Sequence, residues 1–284
     1  MGQSFYEADA DARAVFDEAS ELLGYDMKAL CFEENEKLNL TQYTQPAMVT
    51  TGIAIMKVVE KQGLLPDTAA GLSLGEYEAL YAAGALSVTD AIRVVARRGE
   101  LMEAAVPAGV GAMAAVLGAE ASLIEETLSE IPEVWIANYN CPGQIVISGK
   151  KEAVESVAEA LKARGIKRVL MLNVSGPFHS GLLREAGEAL GKVLAETEIH
   201  PLRIPYYANV TGDIVEDAAK VRGLLTEQVY SSVRFEQSIR NMLSAGVDTF
   251  YELGPGKTLA GFVKKIDREA TVVNIETMED LAKI

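Results

Sequence analysis

The sequence predicts an α/β fold, in which one α/β domain is interrupted by an embedded subdomain. Helix-like and strand-like segments alternate in both halves of the 284-residue chain, as in folds that cover a parallel sheet with helices. Between the halves, the pattern changes to strand–helix–strand–strand–helix–strand, the order of a ferredoxin-like module. We therefore divide the chain into an α/β core, residues 1–107 and 175–284, and a ferredoxin-like insert, residues 108–174.

The first 107 residues are predicted to be mainly helical. The predicted elements are helices over 6–24, 45–62 and 88–105, and a short strand at 68–70. Apolar residues recur at three- and four-residue spacing in the first helix, and Gly24 ends it. Pro46 is expected in the first turn of the second helix, where its missing N–H costs nothing.

The insert begins where Pro107 and Gly109 interrupt the helical pattern. Its predicted elements are strands over 111–118 and 167–174, helices over 122–130 and 151–164, and two strands within 134–149 that are joined at Pro142-Gly143. After the insert, helix and strand alternate over 182–197, 204–210, 224–230, 235–245, 249–253 and 259–266. This alternation on both sides of the insert indicates one divided domain.

Composition and charge exclude several classes of function. The chain is 49% hydrophobic and 24% charged, the balance of a globular protein, and it has no apolar run long enough to span a membrane. Its net charge of −15 argues against nucleic acid as a partner, because phosphate binding needs a basic field. The acidic N-terminus does not resemble a signal peptide, and two cysteines, Cys31 and Cys141, form neither a disulfide framework nor a metal cluster. We expect a cytoplasmic monomer without a metal or cofactor.

A candidate nucleophile lies at Gly71-Leu72-Ser73-Leu74-Gly75, a G-x-S-x-G pentapeptide between a short strand and a helix. In a hydrolase-like α/β domain, this pattern turns a strand sharply into a helix and exposes the serine near the helix N-terminus. Both glycines are expected to permit the turn. The chain has two histidines, and His179 follows a predicted strand, where α/β folds place chemistry. His200 is better explained as a surface residue after a helix.

Several segments together carry a resemblance to the malonyl-CoA:acyl carrier protein transacylases of bacterial fatty-acid synthesis. They are Gly71–Glu76, Arg97–Met102, Gly111–Ala115, Asn138–Gln144, Gly176–Ser180 and Leu253–Lys257, and the resemblance extends over essentially the whole chain. It implies a ping-pong transfer of malonyl from coenzyme A to the phosphopantetheine thiol of acyl carrier protein.

The resemblance also implies roles for individual residues. Ser73 would attack the malonyl thioester and His179 would take its proton, with the backbone carbonyl of Gln228 orienting the histidine. The backbone N–H of Leu74 would be one oxyanion donor. Arg98 matches the arginine that pairs with the free malonyl carboxylate, and Phe178 matches an aromatic residue that favours malonyl over branched groups.

Two departures from the family pattern stand out. Leu72 occupies a position that is usually histidine, and we expect this change to adjust the activity rather than abolish it. Members also carry a buried strand and a Gly-Gln-Gly loop ahead of the point that corresponds to Met1-Gly2, and that loop supplies a second oxyanion donor. Its absence from this sequence predicts an open sheet edge and reduced turnover.

Alternatives remain open at this stage. The same elbow serves serine hydrolases and thioesterases, which would have no use for Arg98. The other candidates are a stand-alone acyltransferase that serves a polyketide synthase and an inactive truncated homologue. Because carrier proteins are typically acidic, docking would need a local basic patch, either the arginines at 93–98 or the cluster at 162–168.

Overall fold

In the computed structural model, which describes residues 1–107, 109–174 and 176–284, helices α1 to α13 surround three separate β-sheets. The helices are α1 Gln3–Ala8, α2 Ala10–Leu23, α3 Met27–Phe32, α4 Thr41–Lys61, α5 Gly75–Ala82, α6 Val88–Ala104, α7 Ala121–Ser129, α8 Lys151–Ala163, α9 Arg184–Glu196, α10 Val221–Gln228, α11 Phe235–Ser244, α12 Thr258–Ile266 and α13 Met278–Leu281. The strands are β1 Ala69–Ala70, β2 Gly111–Leu117, β3 Val134–Cys141, β4 Gln144–Lys150, β5 Arg168–Met171, β6 Tyr206–Tyr207, β7 Ile214–Val215, β8 Thr249–Leu253 and β9 Thr271–Ile275. The mixed α/β class predicted from the sequence is confirmed.

The predicted helix over 6–24 is two helices, α1 and α2. Asp9 has an extended backbone with φ −129°, which breaks the helix, and its side chain accepts hydrogen bonds from the N–H groups of Asp11 and Ala12. An aspartate in this position satisfies donors that the first turn leaves unpaired. Sequence reasoning also missed α3, β7, β9 and α13, which are short or lack a clear period.

Residues 111–171 form a unit of their own. Their antiparallel sheet has the strand order β3-β4-β2-β5. Along the chain, α7 connects β2 to β3, and α8 connects β4 to β5. Buried residues of these strands and helices, Ile147 and Leu161 among them, form a hydrophobic cluster separate from that of the core. The predicted boundaries at 108 and 175 fall on residues outside those that the structure describes.

The main hydrophobic cluster of the rest of the chain includes much of α4. This helix buries thirteen residues, and it contacts α2, α5 and α6. It begins at Thr41, so that Pro46 lies in its second turn instead of its first. Among the described residues, no helix has the length and apolar character needed to cross a bilayer.

The expected single parallel sheet is divided. β1 pairs with β6 in parallel, and β8 pairs with β9 in parallel, but the two pairs belong to different sheets. A cavity of about 700 Å³ lies between β1 and β8.

Glu78 of α5 lines this cavity and has no hydrogen bond or ion pair with any residue that the structure describes. Burial raises the pKa of its carboxyl to about 8. Gly52 of α4 makes room for that carboxyl, since a Cβ atom at residue 52 would lie 2.6 Å from the carboxyl carbon.

Candidate active site

The pentapeptide around Ser73 forms a sharp turn between β1 and α5. Ser73 has φ 53°, in the left-handed region that non-glycine residues seldom adopt. A Cβ atom at Gly71 would lie 2.0 Å from the backbone carbonyl of Gly75. Residue 71 must therefore be glycine for the chain after β1 to pass this close to the start of α5. At Gly75 a Cβ atom would have no neighbour within 4 Å. The expectation that both glycines permit the turn is therefore wrong for Gly75.

Asn209, which follows β6, holds the turn in place. Its Oδ1 accepts a hydrogen bond from the Ser73 N–H at 2.5 Å, and its Nδ2 donates to the Gly71 carbonyl at 2.6 Å. The side chain is almost fully buried, at 1% exposed. Because buried backbone groups need partners, these two bonds stabilise a conformation that Ser73 would otherwise avoid. The sequence offered no signal for this asparagine.

Ser73 and His179 lie within hydrogen-bonding distance although 106 positions separate them. The Ser73 Oγ is 2.6 Å from the His179 Nε2, and the His179 Nδ1 is 2.8 Å from the Gln228 carbonyl oxygen. A carbonyl can only accept, so Nδ1 carries the hydrogen and Nε2 presents its lone pair to the serine hydroxyl. The histidine also has a left-handed backbone, with φ 57°. Burial, and next the charge of Arg98, lower the pKa of His179 to about 4, which keeps the ring neutral and able to accept a proton.

Arg98 reaches the nucleophile from α6. Its Nη2 donates to the Ser73 Oγ at 3.1 Å and to the Gln228 Oε1 at 3.0 Å, and its Nη1 donates to the Gln45 Oε1 at 2.7 Å. Only 1% of the residue is exposed, and burial lowers the pKa of its guanidinium. A buried guanidinium beside the serine is suited to recognise an anion attached to that serine.

Gln228 and Glu76 connect the arginine to the elbow, and sequence reasoning assigned no role to Glu76 or to the Gln228 side chain. The Gln228 Nε2 donates to the Glu76 Oε2 and to the Ser73 carbonyl, both at 2.8 Å. Neither side chain is exposed to solvent. A glutamate directly after G-x-S-x-G, at the start of a short helix, was the available signal for a buried acidic partner.

Leu74 and Phe178 occupy the positions next to the serine and the histidine. The backbone N–H of Leu74 donates to no acceptor among residues 1–107, 109–174 and 176–284, which leaves it free to bind an oxyanion. Phe178 is half-buried and packs against both the core cluster and a small cluster of Met113, Ala137 and Val146. Leu72 packs into a third apolar cluster beneath the turn, where it has hydrophobic neighbours.

The remaining candidate groups do not join the site. His200 lies on the surface, 3.6 Å from the carboxylate of Glu198. In the basic clusters, most cations already have acidic partners: Arg93 pairs with Asp90, Arg97 with Glu100, Lys162 with Glu159, and Arg164 with Glu126 and Glu130. Lys167 and Arg168 are exposed and have no acidic partner among the residues that the structure describes.

Comparison with known proteins shows the family to which this chain belongs. Residues 1–280 match the acyl transferase domain family. The malonyl CoA-acyl carrier protein transacylase of Bacillus subtilis is 46% identical over 99% of this chain and 90% of its own length. The crystal structure of the corresponding enzyme from Clostridium perfringens superposes with a TM-score of 0.96 at 42% identity, covering 100% of this chain and 90% of that one. A malonyl-transacylase in complex with a type II polyketide synthase acyl-carrier protein also has a TM-score of 0.96, at 38% identity, covering 100% of this chain and 93% of that one.

The two glycines of the elbow should respond differently to alanine. We expect Gly71→Ala to lower the free energy of unfolding by about 1–3 kcal/mol, because its Cβ atom would overlap backbone that cannot move aside. Gly75→Ala is the matched control, and it should change stability by less than about 1 kcal/mol. Urea denaturation of the two variants measures the difference, and equal destabilisation would contradict the steric explanation.

Proposed function

The chain belongs to the acyl transferase domain family, among the malonyl-CoA:acyl carrier protein transacylases, and we propose that it transfers malonyl through an ester on Ser73. The observation that carries the residue assignment is the position of Arg98, whose guanidinium lies 3.1 Å from the Ser73 Oγ in a buried pocket. An acyl group bound to that oxygen would bring a carboxylate on its second carbon to the guanidinium. A hydrolase of neutral esters would have no use for this cation.

In the first half-reaction, the Ser73 hydroxyl gives its proton to the His179 Nε2 as its oxygen attacks the thioester carbonyl carbon. The carbonyl π electrons move to oxygen, and the Leu74 N–H donates a hydrogen bond to that oxyanion. The tetrahedral intermediate then expels the coenzyme A thiolate, which takes the proton from His179. The neutral tautomer fixed by the Gln228 carbonyl supports this role for the histidine.

In the second half-reaction, the same groups work in reverse order. The phosphopantetheine thiol of an acyl carrier protein gives its proton to His179 and attacks the malonyl ester. Collapse of the second intermediate releases the serine oxygen, which recovers the proton from His179. The structural neighbour that binds a type II polyketide synthase acyl-carrier protein supports a carrier protein as the acceptor.

Substrate selection would depend on Arg98 and Phe178. Three of the arginine's N–H groups bind protein acceptors among the described residues, namely Gln45, Ser73 and Gln228, and its other donors can meet a carboxylate. Pairing with the free malonyl carboxylate would favour malonyl over acetyl. The half-buried ring of Phe178, next to His179, would occupy the space that a branched acyl group needs.

A docking surface for the carrier lies along β5 in our proposal. Lys167 and Arg168 precede an exposed apolar strip, in which Leu170 and Met171 are each 49% exposed and Leu172 is 37% exposed. β5 is an edge strand, bonded only to β2 among the strands that the structure describes, and His179 follows it closely in the chain. Exposed apolar area flanked by cations suits an acidic protein partner.

We also infer that the core is hydrolase-like and that 108–174 is an inserted ferredoxin-like subdomain. The strand order β3-β4-β2-β5, with a helix after the first and third strands, supports the second assignment. The strand–elbow–helix at Ser73 and the parallel pairing of β1 with β6 support the first. The buried, unpaired thiols Cys31 and Cys141 are those expected of a protein from the reducing cytoplasm.

Intact-protein mass spectrometry after mixing with malonyl-CoA tests the covalent step. We expect a malonyl adduct that maps to Ser73 and disappears when holo-acyl carrier protein is added. Ser73→Ala, with the same fold by circular dichroism, should form none. Rapid release of free malonate without transfer would indicate a hydrolase, and a folded wild-type protein without adduct would refute the transferase.

Replacement of Arg98 tests substrate selection. We expect Arg98→Ala to reduce kcat/KM for malonyl-CoA by about 10²–10³, because the cation that pairs with the carboxylate is lost. Loading from acetyl-CoA should fall less, so the ratio of the two kcat/KM values is the measurement. Arg98→Lys retains charge without the planar fork and should give an intermediate ratio. An unchanged ratio in Arg98→Ala would rule out this role.

Charge reversal tests the carrier surface. We expect the double variant Lys167→Glu and Arg168→Glu to raise the KM for acyl carrier protein about fivefold, with the malonyl loading rate unchanged. Lys162→Glu with Arg164→Glu is the matched control from the same cluster. Since those two cations are already paired with glutamates, it should change the KM less. Equal effects in both variants would move the docking surface elsewhere.

A further inference from the structure

We propose that Glu76 is the resident counter-anion of Arg98 and that, through Gln228, it sets how strongly the site prefers a carboxylated acyl group. Glu76 acts in this proposal as a positioning residue and does not touch the substrate. This role rests on the proposed malonyl transfer, and it concerns the residue that regulates the acyl-group selectivity of that transfer. Three features support it: the hydrogen bonds of Gln228, the lack of a carboxylate bonded directly to Arg98 among the described residues, and the burial of the whole group.

The hydrogen bonds leave Gln228 one orientation. Both hydrogens of its amide nitrogen are used, one by the Glu76 Oε2 at 2.8 Å and one by the Ser73 carbonyl at 2.8 Å. The amide oxygen therefore faces Arg98, whose Nη2 donates to it at 3.0 Å. The Glu76 Oε2 is itself held by the Asn209 N–H at 3.2 Å. A carboxylate, an amide and a guanidinium thus form one chain of bonds that ends beside the nucleophile.

The charge of Arg98 is balanced indirectly, through that chain. The side-chain atoms that accept hydrogen bonds from its guanidinium, on Gln45, Gln228 and Ser73, are all neutral among the residues that the structure describes. The acidic groups that act on it are Tyr77 and Glu76. Because burial raises the pKa of the Tyr77 hydroxyl and keeps it neutral, the negative charge is that of Glu76. Because a cation buried without compensation is costly, an ionised Glu76 stabilises Arg98 in the free enzyme.

A malonyl carboxylate would change this balance. With malonyl on Ser73, one buried cation would lie between two anions, and the ionised Glu76 would weaken the attraction of Arg98 for the substrate. Protonation of Glu76 removes that competition while Gln228 keeps its hydrogen bond. Selection of malonyl over acetyl should therefore strengthen when Glu76 is neutral.

Within the chain of bonds from Asn209 to Arg98, Glu76 changes charge near neutral pH. Burial, as the largest cause, raises the pKa of its carboxyl to about 7, while Gln228, Asn209, Arg98 and Tyr206 act in the opposite direction. The neighbouring hydroxyls of Tyr77 and Tyr206 stay neutral, because burial raises the pKa of each well above its ordinary value. His179 is already neutral in this range, since its pKa is about 4.

The test is the ratio of kcat/KM for malonyl-CoA to kcat/KM for acetyl-CoA, measured on the wild-type enzyme between about pH 6 and pH 8.5. Titration of the coenzyme A phosphates, and of groups that act in both reactions, changes both kcat/KM values alike and therefore does not affect their ratio. We expect the ratio to fall about threefold to tenfold as the pH rises through the pKa of Glu76. An interaction between Glu76 and the malonyl carboxylate that shifts a pKa by about one unit changes binding about tenfold.

Two variants separate this role from a purely structural one. Glu76→Gln keeps an acceptor for Gln228 and for Asn209, so its ratio should be independent of pH and at least as high as the wild-type value at low pH. Glu78→Gln is the matched control, because Glu78 is another acid of α5 with a pKa raised by burial to about 8 but lines the cavity instead of bonding to Gln228. The Glu78→Gln ratio should follow the wild type.

The outcomes distinguish this inference from the function on which it rests. If wild-type protein forms no malonyl ester on Ser73, the proposed function fails and this inference falls with it. If the ester forms but the wild-type ratio does not change with pH, only the role of Glu76 is overturned. The role of Glu76 would also be overturned if the ratio changed equally with pH in Glu76→Gln and in the wild type. That comparison needs only a folded variant whose malonyl loading can be measured.

Discussion

The candidate site depends on one residue, Gln228, because its two polar ends hold different parts of the site. The backbone carbonyl at the end of α10 fixes the tautomer of His179, and the side-chain amide joins Glu76 to Arg98. The side-chain amide bonds to residues 130 and 152 positions away, and the carbonyl bonds to a residue 49 positions away. A shift of α10 would therefore disturb the base and the substrate-binding cation at the same time.

Burial gives this arrangement its chemistry. Arg98, Glu76 and His179 are almost fully removed from water, so their charges act on one another with little screening. The same burial keeps the histidine neutral and places the pKa of the glutamate near 7. The left-handed backbone at Ser73 is held by the Asn209 side chain, so the strain at the nucleophile is balanced by a neighbouring contact. The backbone of His179 is also left-handed, and the Gln228 carbonyl holds its imidazole.

The sequence predicted the long, strongly periodic elements well and the short ones poorly. α4, α6, α8 and the strands of the antiparallel unit were expected within a few residues, because their apolar periods extend over several turns or repeats. β7, β9 and α3 were missed, since their few residues carry no period, and the division of the parallel sheet depends on packing that no local pattern records. In the site, Ser73 was expected from the G-x-S-x-G pattern and His179 from its position after a predicted strand, whereas Arg98 was expected through the resemblance. Asn209 was not, because a side chain that accepts from one backbone group and donates to another leaves no trace in a single sequence.

The fit between Gly52 and Glu78 also couples the substitutions that these two positions can accept during evolution. The carboxyl of Glu78 fills the space that any side chain at residue 52 would need. An alanine at position 52 would have to displace the Glu78 carboxyl, which is the far end of a flexible side chain and lines the cavity. A shorter residue at position 78 would remove the overlap, so a change in α5 widens the range of side chains that α4 accepts at position 52.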